Sequence, residues 1–161
     1  MIHVVLLCSK MLKILRHRRA MESICEACAR DPSSHSFKKL KESNDHVLYY
    51  TNPSRAKSYT DTEGILTHYD NVLQTLGNKR WSWIFDSDGF DWRHAMEIQT
   101  GIGLAKLITR TYQDKLERIT IINPTWHIHV MLMIVLPFLS EDVVRKITIL
   151  NDRYYSVVEF I

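Results

Sequence analysis

Three cysteines, four prolines and five glycines in 161 residues leave little to staple, break or loosen this chain. So few glycines and prolines exclude collagen-like, linker-rich and low-complexity character. Cys8, Cys25 and Cys28 form an odd set, too few for a disulfide framework, and point to free thiols in a reducing compartment. No apolar run is long enough to cross a bilayer: Val130 to Leu139 reaches about half the required length and is broken by Pro137. Ile2 to Leu7 is apolar, but its positive residues follow it, whereas a secretory leader would place them first. A strong charge of either sign is also missing, with 21 Lys and Arg against 18 Asp and Glu. The small basic excess belongs to residues 1–45, where nine Lys and Arg face five Asp and Glu. That balance excludes a nucleic-acid-binding domain and leaves room for a basic, membrane-facing N-terminal segment. What is present is an ordinary globular composition, 45% apolar and 24% charged, enough for one domain with its own core.

The chain divides into residues 1–45, a basic helix with a polar linker, and residues 46–161, a regularly patterned domain. From Lys10 to Arg30 apolar residues recur at helical spacing among Lys10, Lys13, Arg16, Arg18 and Arg19, and a polar stretch follows to Asp45. His46–Tyr50 reads as a strand ended by Asn52-Pro53-Ser54. Thr60-Asp-Thr-Glu63 is a capping box for a helix that sets Ile65, Leu66, Tyr69, Val72, Leu73 and Leu76 on one face until Gly77 stops it. Trp81–Phe85 is a strand, and a long helix from about Arg93 to Tyr112 follows. Arg118–Asn123 is a third strand, stopped by Pro124. A helix from Trp126 to Leu136 and a short helix capped by Ser140 lead to the strand Lys146–Leu150. The tail from Tyr154 to Ile161 suits a last strand or a short helix. Strands alternating with helices predict an α/β fold: a three-layer, mainly parallel sheet with helices on both faces.

Several constellations bear on chemistry. Cys25-Glu-Ala-Cys28 has the spacing of a zinc pair, but His35 stands alone, so two small apolar residues on a helix face are expected and no metal site. His127 and His129, two apart, fall on different faces of a helix. Gly101-Ile-Gly103-Leu-Ala-Lys106 lies inside a predicted helix with no strand ahead of it, which suits close helix packing better than a phosphate loop. Asp86-Ser-Asp88-Gly89 delivers two carboxylates to a strand end, where they could hold Mg²⁺ or serve as nucleophile and acid. That string resembles the first motif of haloacid-dehalogenase-type phosphatases, although the partners such an enzyme needs at later strand ends are replaced by Asn123-Pro124 and Asn151-Asp152.

Asp86 with Gly89, Tyr112-Gln-Asp-Lys-Leu116, Ile121-Ile-Asn123 with Pro124 and Trp126, Pro137-Phe-Leu139 and Lys146-Ile147 stand in a particular order over about seventy residues. In that order and spacing the chain resembles a short, divergent member of the CRAL-TRIO lipid-binding domain family, the phosphatidylinositol-transfer, tocopherol-binding and retinal-binding type. The family's Tyr-Pro-Glu step reads Tyr112-Gln113-Asp114 here. The resemblance implies a ligand pocket between the sheet and a mobile apolar gate helix, Trp126 to Leu136. Trp83, Phe85, Ile121, Trp126, Ile128, Met131, Leu132, Val135 and Phe138 would then contact lipid, and Asp114 and Lys146 would recognise a head group. Ile128 to Val135 is apolar nearly all round, which suits a helix that covers lipid with one face and meets a membrane with the other.

The expected function is therefore binding of a phosphoinositide, phospholipid or other small lipid, in transfer or sensing, without catalysis and with no cofactor beyond the lipid itself. Expected partners are the lipid and, transiently, a membrane surface, with no nucleic acid, in a cytoplasmic protein peripheral to membranes. The alternatives are a protein-binding scaffold of the same fold without a pocket, and a Mg²⁺-dependent phosphatase built on Asp86.

Overall fold

The computed structural model describes residues 25–161. The basic helix expected over 10–30 lies outside the described residues except for its last turn, which is the short helix α1, Glu26–Arg30, capped by the Cys25 side chain. Strands β1, Lys38–Glu42, and β2, His46–Thr51, follow, and then helix α2, Thr62–Gln74. Asp61 caps α2, its side chain accepting the Gly64 N–H, one residue into the Thr60-Asp-Thr-Glu63 box. Next come β3, Arg80–Asp86; α3, Trp92–Ala95; α4, Ile98–Leu107; and β4, Leu116–Ile122. The chain ends with α5, Trp126–Val135; α6, Glu141–Arg145, capped by Ser140; β5, Ile147–Leu150; and a 3₁₀ turn over Val157–Phe160.

The five strands form one sheet in the order β1-β2-β3-β4-β5. β1 runs antiparallel to β2, and β2 to β5 are parallel, so the sheet is mainly parallel as expected. Among the described residues the α-helices pack on one face, and the 3₁₀ turn over Val157–Phe160 lies on the other. Parallel strands laid down sequentially in one direction, with crossovers of a single hand, return every connecting helix to the same side. Val47, Tyr49, Trp81, Trp83, Ile119 and Ile121 face that helical layer. On the other face Tyr50, Ile84 and Ile122 are covered by Tyr155, Val157 and Phe160 of the C-terminal tail. The tail is therefore a cover over the sheet, and not a sixth strand.

Two other elements differ from expectation. Residues 38–42, read as polar linker, are an edge strand. Lys-Lys-Leu-Lys-Glu carries no apolar alternation because its neighbour supplies backbone hydrogen bonds on one side only, and its lysines keep the free edge soluble. The single helix expected from Arg93 to Tyr112 is broken at Met96–Glu97, and it ends in a π turn over Ile108–Tyr112. There the Tyr112 hydroxyl reaches the Asp70 carboxylate of α2, and the Trp81 indole donates to the Tyr112 carbonyl at 3.0 Å.

Candidate functional site

Between the sheet and the helical layer lies a cavity of about 160 Å³. Its floor is Trp83, Phe85, Ile119 and Ile121, the residues that strict alternation turns toward the helices. Its roof is Leu104 and Ala105 of α4 with Ile128, Met131, Leu132 and Val135 of α5. Gly101 lets the two roof helices touch: a Cβ there would stand 2.9 Å from Val135 Cγ2 and 3.0 Å from Met131 Sδ. Gly103 makes a similar close approach to Leu66 of α2. The Gly101-x-Gly103 pair thus serves helix packing, as its position inside a helix predicts.

Seven of the nine residues assigned to lipid contact, Trp83, Phe85, Ile121, Ile128, Met131, Leu132 and Val135, line this cavity. Trp126 and Phe138 do not. Trp126 opens α5 on its outer side, with its ring tilted against His127 at 3.9 Å, and is 68% exposed, while Phe138 lies beneath the Lys106 ammonium. α5 is two-faced in the manner its composition suggests: Ile128, Met131 and Val135 are buried, whereas Trp126, Val130 and Met133 look outward, Met133 with 74% of its surface exposed. Trp92 and Met96, at the two ends of the adjoining helix α3, are exposed as well.

The two residues assigned to a head group share no direct bond among the described residues, although Lys146 bonds the carbonyl of Gln113 next to Asp114. β4 and β5 are neighbours, with Ile119 opposite Ile147. Yet Asp114 is exposed in a 3₁₀ turn, and Lys146 donates to Asp142 Oδ2 at 2.7 Å and to the Gln113 carbonyl at 3.2 Å. No hydrogen bond or ion pair among the described residues joins them, and neither lines the cavity.

The polar groups that do line it were missed: Tyr59, His94, Glu97 and Thr100 among them. They come from the loop before α2 and from the start of α3 and α4. Asp91 caps α3, its own N–H donates to His94 Nδ1 at 3.1 Å beside its Oδ1 at 3.2 Å, and with Nδ1 accepting, the proton of the neutral ring is assigned to Nε2. Burial holds the His94 pKa below its ordinary value, so the ring is neutral near neutral pH. The Tyr59 ring packs 4.8 Å from it. Only the three-residue spacing of Asp91 and His94 hinted at this in the sequence, as a cap with histidine in place of the usual Glu or Gln.

The Asp86 turn supports the fold. Asp86 is 3% exposed, and its carboxylate accepts from the Tyr50 hydroxyl at 2.8 Å, the Asp88 N–H at 3.0 Å and Asn123 Nδ2 at 3.0 Å. Asn123, at φ 52, also bridges to the tail through the N–H and carbonyl of Tyr155. Three donors thus hold this buried carboxylate between neighbouring strand ends. The Asp-x-Asp-Gly string therefore works as a turn that joins β3, β4 and the tail.

A comparison with protein families matches the CRAL/TRIO domain over residues 41–161. No curated protein matches the chain in sequence. Among solved structures, the crystal structure of Sfh5 superposes with a TM-score of 0.62 at 13% identity, covering 92% of this chain. This chain spans 61% of the length of that one. Among the described residues no helix is long and apolar enough to cross a membrane. The mainly parallel sheet, the Asp86 turn and a family match that takes in every residue from β2 to the tail agree, and the chain belongs to the CRAL/TRIO family of lipid-binding domains.

Proposed function

We propose that this protein takes an acyl chain or comparable apolar group of a lipid into the cavity between its sheet and helices α4 and α5, and carries it between membranes. The observation that carries the reading is the cavity itself: a pocket walled mainly by apolar side chains between the sheet and the helical layer. Unfilled apolar space forfeits packing, which makes it costly to keep without a ligand. At about 160 Å³ it is below the roughly 300–1,000 Å³ of a pocket that encloses a whole ligand. Entry of a lipid therefore requires α5 to move outward. Burial of acyl surface, about 0.8 kcal/mol per CH₂, is the force available to hold it open around a bound chain. The polar end of the ligand is assigned to the side of Tyr59, His94, Glu97 and Thr100, where the His94 Nε2–H can donate to an ester carbonyl or hydroxyl. In this reading Lys146 and Asp114 are surface groups outside the ligand contact.

The test is transfer of a fluorescent phospholipid between donor and acceptor vesicles by the wild type and by Ile121→Trp, which places an indole on the cavity floor. The wild type should accelerate transfer, and Ile121→Trp should lose at least about tenfold of that rate while unfolding cooperatively. Equal rates for the two proteins, or no acceleration by the wild type, would refute the proposal.

A further inference from the structure

Cys25, Cys28, His35 and His68 converge although 43 residues of chain separate the first from the last. The two cysteines belong to the cap and first turn of α1, His35 to the segment leading into β1, and His68 to the middle of α2. Cys25 Sγ lies 3.4 Å from both His35 Nδ1 and His68 Nδ1, and Cys28 Sγ lies 3.5 Å and 3.7 Å from the same two atoms. All four donor atoms fall within 4.8 Å of one another. Hydrogen bonding does not account for this. His68 Nε2 faces the Phe37 carbonyl at 2.7 Å and must carry the ring proton, so its Nδ1 offers a lone pair alone. Two thiols and one His35 Nδ1–H supply at most three protons for four sulfur–nitrogen approaches.

A single ion at the centre accounts for all four. Zinc bonds of about 2.3 Å to sulfur and about 2.0–2.1 Å to nitrogen, at tetrahedral angles, place sulfur and nitrogen about 3.5–3.6 Å apart. The four observed separations straddle that value. We infer that Cys25, Cys28, His35 and His68 form a tetrahedral zinc site that fastens the segment before β1 to helix α2. The surroundings suit it. The Phe37 carbonyl orients His68 as an outer-shell partner does, and the Cys28 N–H donates to Cys25 Sγ at 3.2 Å, a bond that favours thiolate. Binding releases the two thiol protons to solvent, and two thiolates with Zn²⁺ sum to zero charge, which permits burial. Two sulfurs and two imidazoles select zinc over magnesium or calcium. His35 also lines the apolar cavity, so the ion would stand behind one wall of it and hold that wall in place.

The full chain, purified under reducing conditions, stripped by a chelator and dialysed against zinc, tests this by elemental analysis. A parallel sample is loaded with cobalt and read by visible absorption. The wild type should hold about one zinc per chain and give the intense absorption of tetrahedral cobalt with thiolate charge transfer. Cys8→Ser should keep the metal, whereas Cys28→Ser and His68→Ala should each bind it at least about tenfold more weakly. The cobalt spectrum of the wild type decides the matter even where a variant fails to fold. No zinc uptake by the wild type, a cobalt spectrum without thiolate charge transfer, or binding unchanged in both variants would overturn the inference. These readouts are of metal, and stand or fall apart from lipid transfer.

Discussion

At the scale of single residues, Asp86 shows how a motif that suggests chemistry is used for architecture. Its carboxylate collects one donor from β2, one from its own turn and one from the end of β4, so it ties three neighbouring strands at their C-terminal ends. Tyr50 depends on it in turn. Burial, and then the hydrogen bond to Asp86, raise the Tyr50 hydroxyl from its ordinary 10.0 to about 12. The unfolded chain thus gives up this proton before the folded one does. Its contribution to stability is complete below pH 10.0 and is lost as the pH rises toward about 12. Tyr50→Phe should cost about 1–3 kcal/mol at neutral pH, because Asp86 is left with an unmet acceptor, and it should flatten the alkaline fall in stability over that interval. Urea unfolding of both proteins across the interval checks this, and parallel curves for the two would contradict the assignment. The delivery of Asp86 and Asp88 to a strand end was legible in the sequence, and the use made of them was not. The partners of Asp86, Tyr50 and Asn123, were not legible either, since they meet it only through strand pairing across the sheet.

At the scale of elements, α5 is the part whose composition and position agree most closely. Its apolar character on every side was plain in the sequence, and the buried set Ile128, Met131 and Val135 falls on one helical face. Which face would be inner was not plain, because an evenly apolar helix has no polar side to mark it. Trp126 is the consequence: an aromatic residue assigned to the pocket that instead stands outside with Met133. Exposed tryptophan and methionine on a helix that must open suit a membrane surface, where an amphipathic ring sits at the head-group level. Replacing both, Trp126→Glu with Met133→Glu, should lower vesicle-to-vesicle transfer by about tenfold or more, each charge opposing insertion into the interface. Uptake of a short-chain, water-dispersed lipid analogue should be unchanged, since neither side chain lines the cavity. Loss of that uptake as well would show that the pair acts on the pocket and not on a membrane. The thiol and imidazole cluster was equally hidden. Cys25 and Cys28 were visible as a pair, but His68 lies 40 residues beyond Cys28, among the core positions of α2, where its spacing marked it only as a helical residue.

At the scale of the whole molecule, strand order decides the architecture. The alternation of strands and helices was readable, and with it the mainly parallel sheet. That the described α-helices would share one face was not, because sequence patterning tells which elements exist and says little about the direction in which successive strands are added. One consequence is functional. With the described α-helices on one side, the roof of the cavity is formed by α4 and α5, and displacing α5 would open the interior without disturbing the sheet or the tail on the far face. The polar lining came from the beginnings of α3 and α4, segments whose side chains had no periodic signal to set them apart. The central claim, that this interior takes up lipid, is tested most directly by native mass spectrometry of the protein before and after incubation with mixed phospholipid vesicles, followed by organic extraction of what is bound. The account predicts a complex of about one lipid per chain, absent in Ile121→Trp, with the lipid recovered in the extract. A wild-type chain that emerges from the vesicles at its bare mass, with nothing extracted, would contradict it.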